Sequence, residues 1–452
     1  MTQPASDSPC TALRGDVLSF RGDPFVDGLD ASLQYERDAL VVMRDGQIDA
    51  IGPAAELLPR LPADTPIEHY PHALITAGFV DTHVHYPQLP IIGARGLPLL
   101  DWLERYTFPA EQAYADINHA RAMARLYLGE NLRNGITSAA VFCTVHPQSV
   151  DALFEIAQGL DMRLVAGKVL MDRHAPPALC DTAQSGYDDS AALIARWHGQ
   201  GRLGYAITPR FAPSCSPAQL EAAGALWREH PDCFVQSHLS ENRAEVDWVR
   251  ELFPDARDYL DVYDRFGLLG PRAIYAHGIH LCEREYGRCH DSDTALAHCP
   301  TSNLFLGSGL FDLAAAKRAE RPVRVGLGTD LGAGTSFSML RTMDEAGKVA
   351  QLRDAPLSPA HALYLSTRGG AHALHLDDRI GSIAPGMEAD LAVLDLRATP
   401  LMAARMQHVD SLDEALAVLM TLGDDRAVRA TWIAGILRHD RDHGEPVTRR
   451  VL

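Results

Sequence analysis

Between Leu74 and His375 the chain alternates regularly between short apolar segments and longer segments with helical spacing of apolar residues. The short segments have the length of buried β-strands. Eight such alternations predict an α/β fold, a (β/α)₈ barrel rather than an open sheet. The predicted strands are Gly78–Val80, Thr137–Phe142, Arg163–Leu170, Leu203–Thr208, Cys233–Ser237, Ala273–Ala276, Thr294–Ala297 and Val323–Leu327. The predicted helices include Ile117–Leu132, Ser149–Leu160, Pro217–Glu229 and Ser338–Leu352.

Both ends of the chain show a different, β-like pattern. Near the start, an Asp45-Gly46 turn separates two apolar runs, which is typical of a β-hairpin. After Asp377, Leu391–Leu394 and Val428–Ile433 have strand character. We therefore expect a small β-sandwich domain built from both chain ends, with the barrel inserted between them. The predicted division is residues 1–73, 74–377 and 378–452.

Composition excludes several classes of partner. Lys and Arg total 41 against 59 Asp and Glu, which gives a net charge of −18, and no long run of basic residues offsets it. Nucleic acids and anionic membranes are therefore not expected partners. No apolar stretch approaches the roughly 18 residues of a membrane span, and the first residues lack the pattern of a signal peptide. Eight cysteines without paired spacing predict reduced thiols in a cytoplasmic protein.

His83-Val-His85 ends the first predicted barrel strand. Alternate residues of a strand face the same side, so both imidazoles can approach one point. At the carboxyl end of a barrel strand, such a pair is a natural beginning of a metal site. The chain has 20 histidines, so the pair taken alone is also compatible with chance.

Three further polar residues stand at predicted strand ends: His238, His277 and Asp330. Independent surface or core histidines would not concentrate there, so together with His83 and His85 they predict a metal site. Imidazole with a carboxylate suits zinc, although iron or manganese fits the same ligand types. Glu241 follows His238 by three residues and is placed to carry protons at the site, or else is an exposed carboxylate at a helix start.

These residues and their flanking β-segments resemble the amidohydrolase superfamily of metal-dependent barrel hydrolases. Within it, the finer resemblance is to the guanine deaminase family. The segments that carry the resemblance are His83–Gln88, Asp101–Pro109, Thr208–Phe211, Ser237–Asn242, His298–Leu304, Gly328–Gly332 and Gly381–Leu391. The likeness extends from about Leu74 to Asp395, and the two ends of the chain match more loosely.

The resemblance implies a role in purine metabolism, the hydrolysis of guanine to xanthine and ammonia at one zinc ion per chain, in a homodimer. His83, His85, His238 and Asp330 would be the zinc ligands. Glu241 would protonate a ring nitrogen as metal-bound hydroxide attacks C2. Asp330 would accept a proton and His277 would help to polarise the attacked centre, with or without contact to the metal. The implied substrate-binding residues are Gln88, Arg210, Phe211, His238, Glu241 and Asp330.

General chemistry supports a role in base binding for the three residues that have no role at the metal. Arg is suited to the paired O6 and N7 acceptors of guanine, an amide such as Gln88 can donate and accept, and Phe211 can stack on the ring. For Arg210 a solvent-facing position, and for Phe211 simple core packing, remain the alternatives. Tyr106–Phe108 is expected in a loop that either closes the pocket or anchors the loop to the core.

Two other functions are kept open by the sequence. One is an aminohydrolase that acts on a different purine, a pterin or a triazine, with the same metal ligands. The other is a non-catalytic scaffold of the same fold, which would be expected to lack some of the ligands present here. Two-metal relatives carry a lysine at the end of the fourth strand. This chain has Arg210 there, and Lys168 lies on the preceding strand, which favours one metal.

Overall fold

A computed structural model describes residues 10–443 of the chain, so the outermost parts of both predicted terminal segments, 1–9 and 444–452, lie outside it. The strands are β1 Cys10–Phe20, β2 Leu33–Arg44, β3 Gln47–Pro53, β4 Ile67–Ala77, β5 Phe79–His85, β6 Ile136–Phe142, β7 Arg163–Gly167, β8 Val169–Leu170, β9 Leu203–Pro209, β10 Phe234–Leu239, β11 Ala273–His277, β12 Ala295–His298, β13 Val325–Leu327, β14 Leu391–Asp395, β15 Val428–Ile433 and β16 Ile436–Asp440.

The α-helices are α1 Leu29–Ser32, α2 Ala54–Leu57, α3 Leu99–Trp102, α4 Phe108–Gln112, α5 Ile117–Arg133, α6 Pro147–Leu160, α7 Ala183–Trp197, α8 Pro217–Glu229, α9 Arg243–Leu252, α10 Tyr259–Arg265, α11 Glu283–Ser292, α12 Pro300–Phe305, α13 Leu313–Ala316, α14 Met339–Leu352, α15 Pro359–Ser366, α16 Arg368–Ala373, α17 Pro400–Met406 and α18 Leu412–Leu422. Short 3₁₀ segments lie at Leu58–Arg60, Tyr86–Ile91, Ala113–Ala115, Pro177–Leu179, Ala212–Ser214 and Asp425–Ala427, and a π-helical segment spans Leu103–Thr107. No helix within residues 10–443 is both long and apolar enough to cross a membrane.

Eight parallel strands form a nearly closed barrel in the order β5-β6-β7-β9-β10-β11-β12-β13, with the short β8 beside β9. The seam lies between β13 and β5, where the Thr82 hydroxyl donates to the Leu327 carbonyl at 2.9 Å. The predicted (β/α)₈ barrel is thus confirmed, with each predicted strand present.

The helices between the barrel strands begin at side-chain caps that the sequence supplies. Asp116 accepts the backbone N–H of Asn118 at the start of α5, and Ser216 accepts that of Gln219 at the start of α8. Such caps satisfy N–H groups that have no partner within the helix. The helices therefore start close to where the apolar spacing predicts.

The terminal strands form one mixed sheet in the order β16-β15-β14-β4-β1-β2-β3, so both chain ends contribute to it, as predicted. The predicted hairpin is the β2–β3 turn, in which Asp45 and Gly46 have φ values of 51° and 79°. Positive φ at both positions matches the twist of antiparallel strands and suits this residue pair. A Cβ at Gly46 would lie 3.5 Å from that of Ala434, so the turns of the β2–β3 and β15–β16 hairpins lie against each other. The sheet has an apolar cluster of its own.

A partly buried ion network joins the terminal sheet to the start of the barrel strands. Arg202, just before β9, donates to Glu388 (Nε to Oε2, 2.9 Å) and to Asp390 (Nη1 to Oδ1, 3.0 Å), both just before β14. Arg163 at the start of β7 also donates to Glu388 (Nε to Oε2, 2.7 Å). The side chains of Arg202 and Asp390 are 11% and 2% exposed, so these charges depend on one another for solvation.

We expect Arg202→Ala to lower the free energy of unfolding by about 3 kcal/mol, because Glu388 and Asp390 would stay buried without their shared cation. Chemical denaturation measures this change. The matched control is Arg228→Ala, which breaks a surface pair with Glu221 and should cost at most about 0.5 kcal/mol. Equal effects of the two substitutions would contradict a structural role for the network.

Candidate active site and metal centre

Five sequence-predicted residues meet at the carboxyl ends of the barrel strands. His83 and His85 come from β5, His238 from β10 and His277 from β11, and Asp330 follows β13. Two overlapping groups, His83 with His238 and His277 and His83 with His85 and Asp330, each place their donor atoms within 4.8 Å of one another. All are buried except His238, which is partly exposed. As predicted from the alternation of side chains along a strand, His83 and His85 face the same side of β5.

The nitrogen and oxygen donor atoms of these side chains lie close enough together to surround one point. The Nε2 atoms of His85 and His238 lie 3.0 Å apart. Asp330 Oδ1 lies 3.4 Å from His83 Nε2 and 3.6 Å from His85 Nε2. Within the described chain, His83 Nε2 and His277 Nε2 are buried without a hydrogen-bond partner. Buried polar atoms are costly when unpaired, and a bound cation would satisfy these nitrogens.

In His238 and His277, a hydrogen bond at the ring nitrogen that points away from the centre determines which nitrogen is free to bind an ion. His238 Nδ1 lies 2.6 Å from the carbonyl oxygen of Arg210, and His277 Nδ1 lies 2.8 Å from Oδ1 of Asn303. Because these oxygens can only accept, each Nδ1 carries the proton and each Nε2 presents a lone pair to the centre. Burial lowers the pKa of His83, His85 and His238 well below the usual range, which keeps them neutral.

Asp330 is placed by a strained backbone and by contacts across the seam. Its φ is 47°, an uncommon value for a residue with a side chain, and its N–H donates to the His83 carbonyl at 2.9 Å. Next to it, Thr329 donates its backbone N–H to Asp81 at 2.9 Å and its hydroxyl at 2.5 Å. Burial raises the pKa of Asp330. The Asp330 carboxylate is therefore held by β5 as well as by its own strand.

Glu241 points into the same centre from the turn after β10. Its Oε2 lies 3.4 Å from His277 Nε2, and Ser308 donates to its Oε1 at 3.4 Å. Burial, and then the nearby Asp330 carboxylate, raise the pKa of Glu241 to about 8. The carboxyl is therefore buried, not an exposed residue at a helix start. It can hold a proton at neutral pH and donate it.

The turn that carries Glu241 is held by a second carboxylate that the sequence analysis did not single out. Glu245 accepts the backbone N–H groups of Glu241 and Asn242 at 2.9 and 3.0 Å, and Tyr259 donates its hydroxyl to it at 2.7 Å. Ser240, with φ of 47°, makes the sharp turn that these bonds secure. The spacing of Asn242 and Glu245 is that of a helix capping box, which was a detectable sequence pattern.

A cleft opens from this centre, and all three residues assigned to base binding line it: Gln88, Arg210 and Phe211. Its empty space, mouth included, is about 410 Å³. The apolar part of the wall was not foreseen from the sequence and consists of Leu99, Trp102, Leu103, Leu306 and Ala333. The cleft thus joins the polar cluster of imidazoles and carboxylates to an apolar wall.

The structure corrects one expectation from the sequence and excludes one alternative. Residues 106–108 are not a loop, because a π-helical segment and α4 run through them. Tyr106 packs on Trp102, with ring centroids 5.1 Å apart, and Trp102 rather than Tyr106 lines the cleft. Arg210 is not solvent-facing: it is 2% exposed and donates from Nη1 to both oxygens of the buried Glu111. No local pattern links Glu111 to Arg210, since 99 residues separate them.

Lys168 has no place in the centre, in line with the expectation for this lysine. Its ammonium group is buried and bonds to Asp181 at 2.5 Å. Arg210, and not a lysine, directly follows β9. The geometry therefore offers one cluster of imidazole and carboxylate donors at this end of the barrel.

Comparison with known proteins places the chain among enzymes of one kind. Residues 74–437 match the amidohydrolase family. The guanine deaminase of Escherichia coli (strain K12) is 49% identical over 412 residues, covering 91% of this chain and 93% of the relative.

Solved structures agree with the sequence comparison. An E. coli guanine deaminase structure matches with a TM-score of 0.93 and 47% identity, covering 96% of this chain and 100% of the other. A guanine deaminase from C. acetobutylicum, solved with guanine in its active site, matches with a TM-score of 0.84 and 28% identity, covering 95% and 99%. The chain belongs to the amidohydrolase family and, within it, to the guanine deaminases.

Proposed function

We propose that this protein catalyses the zinc-dependent hydrolysis of guanine to xanthine and ammonia. The observation that carries the proposal is the placement of Glu241 between the imidazole and carboxylate cluster and the cleft lined by Gln88 and Arg210. Guanine deaminases at 49% and 42% identity support it, as does the guanine-bound relative. One buried acid thus faces both the site for an ion and the site for a base.

His83, His85, His238 and Asp330 would hold one zinc ion per chain. Nitrogen and carboxylate oxygen donors suit zinc, and the unpartnered Nε2 atom of His83 fits a cation at this point. Zinc would lower the pKa of water so that hydroxide is available at neutral pH. The protein's own contribution is to keep the imidazoles neutral and their lone pairs turned inward.

The remaining residues would bind the base and move protons. Arg210 would donate to O6 and N7 of guanine, Gln88 would bond to the ring edge, and Phe211 would pack on the ring face. Glu241 would protonate a ring nitrogen beside C2, and Asp330 would take up the proton that the attacking water loses. To stabilise negative charge at the attacked centre, His277 would need a proton at Nε2 as well, and this nitrogen lies 3.4 Å from Oε2 of Glu241. Asp330 would then pass its proton to the C2 amino group, which leaves as ammonia, and the C2 hydroxyl would return a proton to Glu241 as xanthine forms.

We also propose that the chain divides at residues 73/74 and 377/378, and that it acts in the cytoplasm as a homodimer. The pairing of β14 with β4, which unites β14–β16 and β1–β4 in one sheet, supports a division of this kind. Free thiols at all eight cysteines fit a reducing compartment. The dimer rests on the resemblance to the family.

We expect Glu241→Gln to reduce guanine turnover by about 10²- to 10⁴-fold, because the amide cannot deliver the proton that general acid catalysis requires. Ultraviolet absorbance of guanine and xanthine, with release of ammonia, measures the loss. Glu251→Gln, an exposed position at the end of α9, is the matched control and should retain full turnover. Unimpaired turnover in Glu241→Gln would contradict the assignment of the proton donor.

Removal of the metal should abolish turnover, and one equivalent of zinc per chain should restore it, because the cluster supplies a single set of donors. Elemental analysis and turnover follow both steps. His83→Ala should lower zinc content below stoichiometry, whereas His408→Ala, an exposed histidine, should leave it unchanged. Full turnover in zinc-free protein, or two zinc ions per active chain, would contradict the proposal.

A further inference from the structure

Glu111 connects the two polar side chains that line the cleft away from the metal centre. It lies in α4, is 1% exposed and is not among the residues that line the cleft. Arg210 donates from Nη1 to both of its carboxylate oxygens, at 2.9 and 2.7 Å. The side-chain amide of Gln88 also acts on this carboxylate and lowers its pKa, against the effect of burial, which raises it. One buried acid thus anchors both cleft residues from behind.

This anchoring determines which atoms of Arg210 face the cleft. A guanidinium group has five N–H donors in a fixed plane, and Glu111 engages those of Nη1 only. The Nε and Nη2 groups donate to no residue in the described part of the chain, and Arg210 lines the cleft. The ring of Phe108 lies against the guanidinium, 5.9 Å from centroid to Cζ. The Nε and Nη2 edge of the Arg210 guanidinium is therefore held in one orientation, in which it can donate to a pair of acceptors.

The same carboxylate acts on the amide of Gln88. A carboxylate accepts hydrogen bonds and cannot donate them, so an NH₂ group turned toward Glu111 leaves Oε1 for a ligand. Within the described chain, Oε1 is buried and has no partner. A buried acceptor without a partner costs free energy unless a ligand N–H reaches it. Arg210 thus offers hydrogen-bond donors, and Gln88 an acceptor, to a ligand in the cleft.

We propose that Glu111 is a positioning residue for substrate specificity, which holds Arg210 and Gln88 so that they recognise a ring edge with paired acceptors beside an N–H group. The inference rests on the proposed function, because guanine carries such an edge in O6, N7 and its ring N–H groups. Specificity of this kind is strong, since a ligand that lacks an acceptor leaves buried donors unpaired.

The test compares guanine with 2-aminopurine, which has the same C2 amino group and hydrogen in place of O6. Calorimetry would measure both dissociation constants on zinc-loaded protein in a Glu241→Gln background, where turnover is slow. With Glu111 intact, guanine should bind the more tightly. Glu111→Gln should weaken guanine binding roughly ten- to a hundredfold and 2-aminopurine binding much less, so that the preference falls by about tenfold.

Glu104→Gln is the matched control, because Glu104 is exposed and lies in the adjoining π-helical segment. It should leave the preference unchanged. If Glu111→Gln folds poorly, Glu111→Asp keeps the charge beside Arg210 but withdraws it by one methylene, and should reduce the preference by an intermediate factor. A preference that stays constant in both Glu111 variants would overturn the inference, since a purely structural role would weaken both ligands equally.

Turnover by the unsubstituted protein separates this inference from the proposed function. If guanine is bound with the expected Glu111 dependence but is not deaminated, the positioning role stands and the proposed reaction fails. If guanine is deaminated but the preference for guanine over 2-aminopurine is unchanged in the Glu111 variants, the reaction stands and the positioning role fails. If neither purine binds, the positioning role is overturned as well.

Discussion

The contact between β5 and the segment after β13 is the one on which the candidate site depends. It closes the barrel and places His83 beside Asp330, two residues from opposite ends of the barrel sequence. Gly328 permits the approach, because a Cβ at this position would lie 2.9 Å from that of His83 and 3.0 Å from its backbone nitrogen. The two bonds from Thr329 to Asp81 secure the same seam. Without this closure the histidines of β5 would have no carboxylate partner.

Burial then gives the assembled groups their chemistry. His83, His85 and His238 stay neutral because burial lowers their pKa. The outer nitrogens of His238 and His277 bond to Arg210 and Asn303. The same burial, with Asp330 nearby, raises the pKa of Glu241 to about 8 and gives it a proton to donate. Backbone strain at Ser240, His277 and Asp330 concentrates in this region, which is where the surrounding hydrogen bonds can hold it.

The sequence predicted those parts of the fold and site that depend on local pattern. Strand length and helical spacing predicted the barrel, and the chemistry of strand-end residues predicted that His83, His85, His238, His277 and Asp330 would meet. Glu111 was missed because its partner Arg210 lies 99 residues away and no periodicity relates them. The helical path through residues 106–108 was also missed, since a Pro at 109 and three bulky residues gave no clear helix pattern. Tertiary contacts, not propensity, decide both features.

The proposed function requires a single ion held by the residues at the strand ends. Anomalous diffraction at the zinc absorption edge, from crystals of the zinc-loaded protein, tests this directly. We expect one strong peak per chain, bounded by His83, His85, His238 and Asp330. Two peaks at this end of the barrel, or a peak bound elsewhere with this cluster empty, would contradict it.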